Sequence, residues 1–112
     1  MRVYKIFRQS EWEAFQEAGI SKGAPVDLND GFIHFSTAAQ LAETLTLHFS
    51  GEDGLLILAL EGDKLGNALK WEQSRDGSLF PHLYRELSLA DLLWARPCTL
   101  GATGHILPEG VT

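Results

Sequence analysis

A histidine with the potential for chemistry lies in the short apolar segment Phe32-Ile-His-Phe-Ser36. If this segment is a strand, His34 shares one face with Phe32 and Ser36, because successive side chains alternate. A titratable ring in apolar surroundings must find hydrogen-bond partners or line a cavity. Two interpretations follow: a core histidine bonded to a backbone carbonyl, or a group that contacts a ligand.

A second group of candidates lies in Phe80-Pro-His-Leu-Tyr84. In a strand, Phe80, His82 and Tyr84 share one face and form an aromatic strip with two polar tips. Such a strip can stack on a planar ring and hydrogen-bond its edge. The alternative is the half-hydrated rim of a small sheet.

The segment Lys70-Trp-Glu-Gln-Ser-Arg75 adds an aromatic ring, a carboxylate and two cations beside a polar loop. Glu72 could act as a general acid or base or orient a hydroxyl, although an exposed glutamate needs no function. We therefore predict His34, Glu72 and His82 as catalytic residues. The predicted substrate-binding residues are Ser36, Trp71, Arg75, Phe80 and Tyr84.

Metal and thiol chemistry are disfavoured. His34, Glu72 and His82 could in principle converge on a metal, but the sequence has no HxxH, HExxH or CxxC spacing. We predict no metal. The lone cysteine, Cys98, follows Pro97 in an apolar stretch and is expected to be an ordinary buried thiol.

Two main helices are predicted to flank these segments. Ser10 and Glu13 form a capping-box pattern for a helix that ends near Gly19, and Ser36 or Thr37 caps a second helix that ends near Phe49. The turn-rich stretch 23–31 between them predicts a surface connection.

Apolar patterning predicts the strands. Residues 2–7 alternate, 55–60 are apolar on both faces as in a central covered strand, and 68–72 form another short strand. Pro81 confines the strand at 80–87 to an edge or a strand start, and Pro97 ends the last strand, leaving 99–112 loosely held. The predicted fold is α+β: a single domain (1–112, core about 2–98) with a mixed, mostly antiparallel sheet and two main helices.

Composition limits the function classes. The 112 residues are 45% apolar and 21% charged, with 9 Lys+Arg against 15 Asp+Glu. One cysteine, no long apolar run and no leader-like segment predict a cytoplasmic protein without membrane contact. A net charge of −6 disfavours duplex nucleic acid. Most of the negative charge lies in residues 9–63, which contain ten acidic residues and one lysine. The rest of the chain is not acidic overall, so the net charge does not exclude the binding of a small anionic nucleotide.

Together these segments resemble the DUF952 family of small bacterial proteins of unknown function. The resemblance rests on Asp30-Gly-Phe-Ile-His-Phe-Ser-Thr-Ala-Ala-Gln40, Leu55-Leu-Ile-Leu, Leu69-Lys-Trp-Glu72 and Leu79-Phe-Pro-His-Leu-Tyr84, and covers about residues 2–98. Arg85-Glu86 departs from the Gly-Pro that tends to follow the tyrosine in that family.

The family is in turn similar to the ADP-ribosyltransferase superfamily, which implies an ADP-ribosyltransferase-like fold with NAD as substrate. By that resemblance His34 with Ser36 grips the nicotinamide side and Tyr84 stacks on the ring. Glu86 and Glu109 are candidates by order for the final glutamate of that superfamily. The cations at Arg2, Lys5, Arg75 and Arg85 could meet the diphosphate.

Three functions are open at this point. The leading hypothesis is an ADP-ribosyltransferase-like enzyme that binds NAD or a similar nucleotide. The second is a non-catalytic module that binds a small molecule or peptide at the same cleft. The third is a metal-independent hydrolase that uses His34 and His82 as an acid–base pair, which requires the two rings to lie within about 10 Å. The sequence does not indicate an oligomeric state.

Overall fold

The structure is a computed structural model that describes residues 1–74 and 77–112. Its strands are β1 (Arg2–Phe7), β2 (Ile20–Ser21), β3 (Ile33–His34), β4 (Leu55–Glu61), β5 (Leu69–Gln73), β6 (Leu79–Leu83), β7 (Leu87–Ser88), β8 (Leu92–Gly101) and β9 (Gly104–Ile106). The helices are α1 (Gln9–Ala18), α2 (Pro25–Asp30) and α3 (Ala38–His48), with 3₁₀ segments at Gly62–Ala68 and Leu89–Asp91. The predicted α+β class with two main helices is confirmed.

The largest sheet has the strand order β1-β4-β8-β9, and each of its pairings is antiparallel. Residues Leu55–Leu60 of β4 are all buried. This confirms the prediction of a central strand covered on both faces, which the uninterrupted apolar run requires.

A second, three-stranded sheet has the order β3-β6-β5 and carries the predicted site segments. It is linked to the first sheet by an isolated antiparallel bridge between Tyr4 and Ser36, whose backbone N–H groups donate to each other's carbonyl at 2.8 and 2.9 Å. The strands therefore form a curled, antiparallel arrangement in which β3 runs alongside β1.

The start of α1 differs from the prediction. The capping residue is Arg8 rather than Ser10, and the Arg8 backbone N–H donates to Glu11 Oε1 at 2.7 Å. Glu11 therefore takes the place expected of Glu13, and the helix begins two residues earlier because the strand before it ends at Phe7. Its end at Gly19, with φ 79°, agrees with the prediction.

The start of α3 agrees with one of the two predicted caps. Thr37 Oγ1 accepts from the Gln40 backbone N–H at 3.3 Å, and Thr37 N–H donates to Gln40 Oε1 at 3.0 Å. The Gln40 amide also donates to the Leu79 carbonyl at 2.8 Å, which attaches the first turn of α3 to β6.

The stretch 23–31 is largely exposed, as its turn residues predicted, but it is not a simple loop. It contains α2, which starts at Pro25 and ends before Gly31, whose φ is 85°. Proline suits a first helical position because its missing N–H would have no helical partner there. Asp27 on this helix is buried.

Two expectations about the strands in the last third of the chain are wrong. β6 is the central strand of its sheet, although Pro81 predicted an edge or a strand start. The Pro81 carbonyl accepts from Phe35 N at 2.9 Å. Because the N–H and C=O of one residue point to the same neighbouring strand, the ring nitrogen of Pro81, which has no hydrogen, also faces the end of short β3 and not β5. β8 continues through Pro97, and residues 99–112 are held by β9 and by packing of Leu107 and Val111.

The apolar core lies on both sides of the β1–β4 pair. Val3 and Phe7 of β1 belong to the cluster under β3 and β6, whereas Tyr4 and Ile6 face the cluster under α3. Lys5 lies on the side of Val3 and Phe7 and is also buried. No helix in residues 1–74 and 77–112 is long and apolar enough to cross a membrane.

Candidate functional site

One face of the β3-β6-β5 sheet gathers most of the predicted site residues. His34 on β3 lies opposite His82 on β6, and Glu72 on β5 lies opposite Phe80. Directly opposed residues of an antiparallel pair share a face. The ring centroids of His34 and His82 are 5.3 Å apart, well inside the separation that an acid–base pair tolerates.

The His34 ring lies between two carboxylates of α2. Its Nδ1 is 2.6 Å from Asp27 Oδ1, and its Nε2 is 3.0 Å from Asp30 Oδ2. The ring is therefore not a core histidine bonded to a backbone carbonyl. A histidine oriented by a carboxylate at Nδ1 presents Nε2 for proton transfer or for binding.

Asp27 is the buried anchor of this arrangement. Besides the His34 ring, its carboxylate accepts from His34 N at 3.0 Å, from Ala24 N at 2.7 Å and from Lys5 Nζ at 2.7 Å. Burial opposes ionisation, but the hydrogen bonds from His34 and the charge of Lys5 outweigh it and lower the pKa of the Asp27 carboxyl. Asp27 is therefore an ionised acceptor.

Lys5 supplies the charge that balances Asp27. Its side chain is 6% exposed, and its ammonium also donates to the His34 carbonyl at 3.0 Å. Desolvation by the surrounding core lowers the pKa of Lys5, against the attraction of Asp27. A lysine so enclosed cannot reach a ligand's diphosphate, so this part of the expected cation set is wrong.

His82 has a carboxylate partner of its own. Glu72 Oε1 is 2.8 Å from His82 Nδ1 and accepts from the Tyr84 hydroxyl at 2.7 Å. The hydrogen bonds from Tyr84 and His82 lower the pKa of Glu72. The hydrogen bond between Tyr84 and Glu72 also raises the pKa of the Tyr84 hydroxyl. Both histidines are thus paired at Nδ1 with a carboxylate.

Phe32 occupies the centre of the cluster. Its ring centroid is 4.6 Å from that of His34, 4.3 Å from that of His82 and 5.2 Å from that of Tyr84. These are stacking distances for tilted rings. Phe32 therefore already fills a place at which the sequence predicted that a ligand ring would stack on Tyr84.

A surface depression of ≈ 300 Å³ opens beside the cluster. This volume is at the lower end of ligand pockets, which span about 300–1,000 Å³. Its lining includes Asp27, Phe32 and Tyr84, with the cations Lys22 and Arg85. Arg85 is held by Asp91 through two contacts of 2.9 and 3.0 Å.

A comparison with protein-family models shows which family the chain belongs to. Residues 6–95 match the family described as "Protein of unknown function (DUF952)". The chain belongs to the DUF952 family. A comparison with curated proteins finds no match.

Solved structures of one bacterial protein are similar to this DUF952 chain. The crystal structure of protein CC0527 from Caulobacter crescentus is 43% identical, with a TM-score of 0.89 over 93% of this chain and 91% of that chain. Its solution NMR structure is also 43% identical, with a TM-score of 0.84 over 93% and 90% of the two chains. These matches do not extend to an ADP-ribosyltransferase, so that resemblance stays a prediction from the sequence.

Within the DUF952 chain the predicted site residues divide into two groups. His34, Glu72, His82 and Tyr84 come together, and Phe80 shares their face without a ring contact to a described residue. Ser36 and Trp71 do not join them. Arg75 lies outside the described residues.

Ser36 and Trp71 are placed away from the cluster. Ser36 is buried and its hydroxyl lies 3.0 Å from Thr44 Oγ1 on α3. Trp71 lies opposite Pro81 on the other face of the sheet and borders a separate depression with Gly62 and Leu69. The Ser36 hydroxyl is therefore directed at α3, and Trp71 lies on the face opposite His82.

Four contributors were missed: Lys5, Asp27, Asp30 and Phe32. Lys5 had a visible signal, since it shares a strand face with Val3 and Phe7 and a buried lysine needs an acidic partner. Asp27 and Asp30 stand in a stretch whose Gly, Pro and Asn residues predicted a loop. Among residues 1–74 and 77–112, no group of three His, Cys, Asp or Glu residues is arranged to hold a metal ion.

Proposed function

We propose that this DUF952 chain is an enzyme that binds a small nucleotide-like ligand at its histidine pair and uses one of the two rings to move a proton while a bond in the ligand is cleaved. The observation that carries the proposal is the pairing of both rings, His34 and His82, with carboxylates at Nδ1 and their separation of 5.3 Å. Two imidazoles at this distance can serve one reacting centre as acid and base.

The roles of the two histidines differ in this proposal. His82 Nε2 makes no hydrogen bond to a described residue and is the nitrogen that accepts or returns a proton. His34 Nε2 contacts Asp30, a half-exposed carboxylate, and with it would hold a hydroxyl of the ligand. Glu72 stabilises the protonated His82 ring, and Tyr84 lies beside it at the wall of the depression.

NAD is the first ligand to test, because the resemblance of the His34 and Tyr84 segments to ADP-ribosyltransferases points to it. In its hydrolysis the ribose–nicotinamide C–N bond breaks and nicotinamide leaves with the bonding electrons. Water forms the new C–O bond and loses a proton to His82. An oxocarbenium-like ribose of this kind is stabilised by nearby carboxylates, which Asp30 and Glu72 would supply.

A second candidate is hydrolysis of a phosphodiester or ester, which the close approach of the two histidines favours. One ring would remove a proton from the attacking water while the other protonates the leaving oxygen. The expected signature is a bell-shaped dependence of rate on pH. This chemistry does not require a planar ring in the space that Phe32 fills.

The test is an NMR titration with NAD, ADP-ribose, AMP and nicotinamide, followed by assays for released nicotinamide and for phosphodiester cleavage. We expect shifts near residues 34 and 84 and a loss of turnover of about 10²- to 10⁴-fold in His82→Gln, with binding retained. His48→Gln, at an exposed helix position, is the matched control. Silence at millimolar ligand contradicts a nucleotide site, and binding without any bond cleavage favours the non-catalytic module instead.

A further inference from the structure

The buried carboxylate of Asp27 is saturated with donors. Its two oxygens accept from Lys5 Nζ and from the backbone N–H groups of Ala24 and His34, all at 2.7 to 3.0 Å. The remaining contact, at 2.6 Å, is with His34 Nδ1. An ionised carboxylate only accepts hydrogen bonds, so the nitrogen at this contact must carry the proton.

The assignment of a proton to Nδ1 leaves Nε2 as the other nitrogen of the His34 ring to consider. With Nδ1 protonated, Nε2 is the remaining ring nitrogen. It lies 3.0 Å from the half-exposed Asp30, whose carboxylate can accept from it when it too carries a proton. Asp27 Oδ1 also accepts from the backbone N–H of His34. One carboxylate oxygen therefore holds both the main chain and the ring of His34. The ring can therefore neither rotate nor change tautomer without breaking a buried contact.

The surrounding chain is shaped for this carboxylate. A Cβ at Gly23 would lie 2.6 Å from Asp27 Cβ, and Gly23 has a φ of +99°. Lys5 reaches Asp27 from β1, in the other sheet, so the anchor joins the first strand to the site. Two independent elements thus supply the space and the countercharge.

We propose that Asp27, with Lys5 as its countercharge, is the positioning residue of the site and fixes His34 in the state with Nδ1 protonated and Nε2 facing Asp30. That His34 is reactive rests on the function proposed above. The proton assignment does not, because it follows from the buried contacts alone.

The test is ¹⁵N NMR of the histidine side chains in the wild-type chain without ligand, from about pH 5 to about pH 10, a range that brackets the ordinary imidazole pKa. We expect Nδ1 of His34 to carry a proton throughout this range. His105 is an internal reference of opposite type, because its Nε2 lies 2.7 Å from the Glu52 carbonyl and must donate to it. A His34 ring that is neutral with the proton on Nε2 overturns the proposal.

Variants separate positioning from folding. Asp27→Asn is expected to shift His34 toward the Nε2–H tautomer, whereas Asp30→Asn leaves the Nδ1 proton in place. Lys5→Met is expected to raise the pH at which the ¹³C carboxyl signal of Asp27 titrates. An unchanged tautomer in a folded Asp27→Asn, or an unchanged Asp27 titration in Lys5→Met, contradicts the assigned roles. If Asp27→Asn does not fold, the wild-type spectrum still decides.

Discussion

A carboxylate with no exposed surface costs stability unless its charge and lone pairs are satisfied, and Asp27 satisfies both through Lys5, His34 and the backbone of Ala24. Removing one partner of such a group leaves the other charge buried and unpaired. Among single substitutions near the site, we therefore expect the largest loss of folding stability at Asp27. The side chains of Glu72 and Tyr84 are much more exposed, so substitutions there should cost less.

Asp27→Asn should lower the free energy of unfolding by about 3–5 kcal/mol near neutral pH, because it leaves the Lys5 charge buried without its partner. The pKa of Asp27 is lowered in the folded chain, so its stabilising effect is present above the ordinary Asp pKa of about 3.9 and is lost as the pH falls below it. Urea unfolding at several pH values measures this.

The matched control is Asp63→Asn, because the Asp63 side chain is 89% exposed. That variant should leave the free energy of unfolding nearly unchanged at each pH. A cost at Asp27 that is as small as the cost at Asp63, or one that grows in acid, would show that Asp27 is not an ionised buried anchor.

The sequence could indicate the reactive residues but not their supports. His34 and His82 stand out because polar rings in apolar strands need partners, and Glu72 lies one strand away. The partners of His34 could not be assigned, since Asp27 and Asp30 lie among turn residues and reach the ring only because α2 forms. Phe32 was visible as a same-face neighbour, but its central position depends on strand pairing.

At the scale of elements, the short-range pattern identified the start of α3, because of the two predicted caps only Thr37 has a glutamine three residues later. Thr37 and Gln40 form the box that the sequence predicts for α3. In α1 two acidic residues, Glu11 and Glu13, could each close a box. The end of β1 selects Glu11, and this is tertiary information that the local pattern does not contain.

The two helix starts give a paired prediction. Thr37→Ala should lower the free energy of unfolding by about 1 kcal/mol, the usual cost of a lost N-cap. Ser10→Ala should change it little, because Ser10 lies inside α1 and does not cap it. Thermal and urea unfolding of the two variants provide the measurement, and equal costs would argue against the Arg8 cap.

At the scale of the whole molecule, patterning predicts the class of fold but not the pairing of distant segments. The apolar run of β4 identifies the central strand, since a strand covered on both faces reads as a continuous apolar run. The curl that brings β3 beside β1 rests on the Tyr4–Ser36 bridge, for which no local pattern exists. The same holds for residues 99–112, whose glycines suggest a loose end while β9 pairs with β8.

The C-terminal residues should therefore contribute to global stability. Leu107 and Trp94 both pack against the buried cluster that contains Tyr4, and the Tyr4 hydroxyl accepts from Thr112 N at 3.1 Å. Leu107→Ala should lower the free energy of unfolding by about 1–2 kcal/mol, which is less than the about 2–5 kcal/mol typical of a fully buried leucine. The control is Leu47→Ala on α3, which should lower it little because Leu47 is exposed. Urea unfolding compares the two, and a chain ending at Ile106 should be at least as destabilised as Leu107→Ala. Equal stability of both leucine variants and of the shortened chain would mean that residues 107–112 do not pack on the sheet.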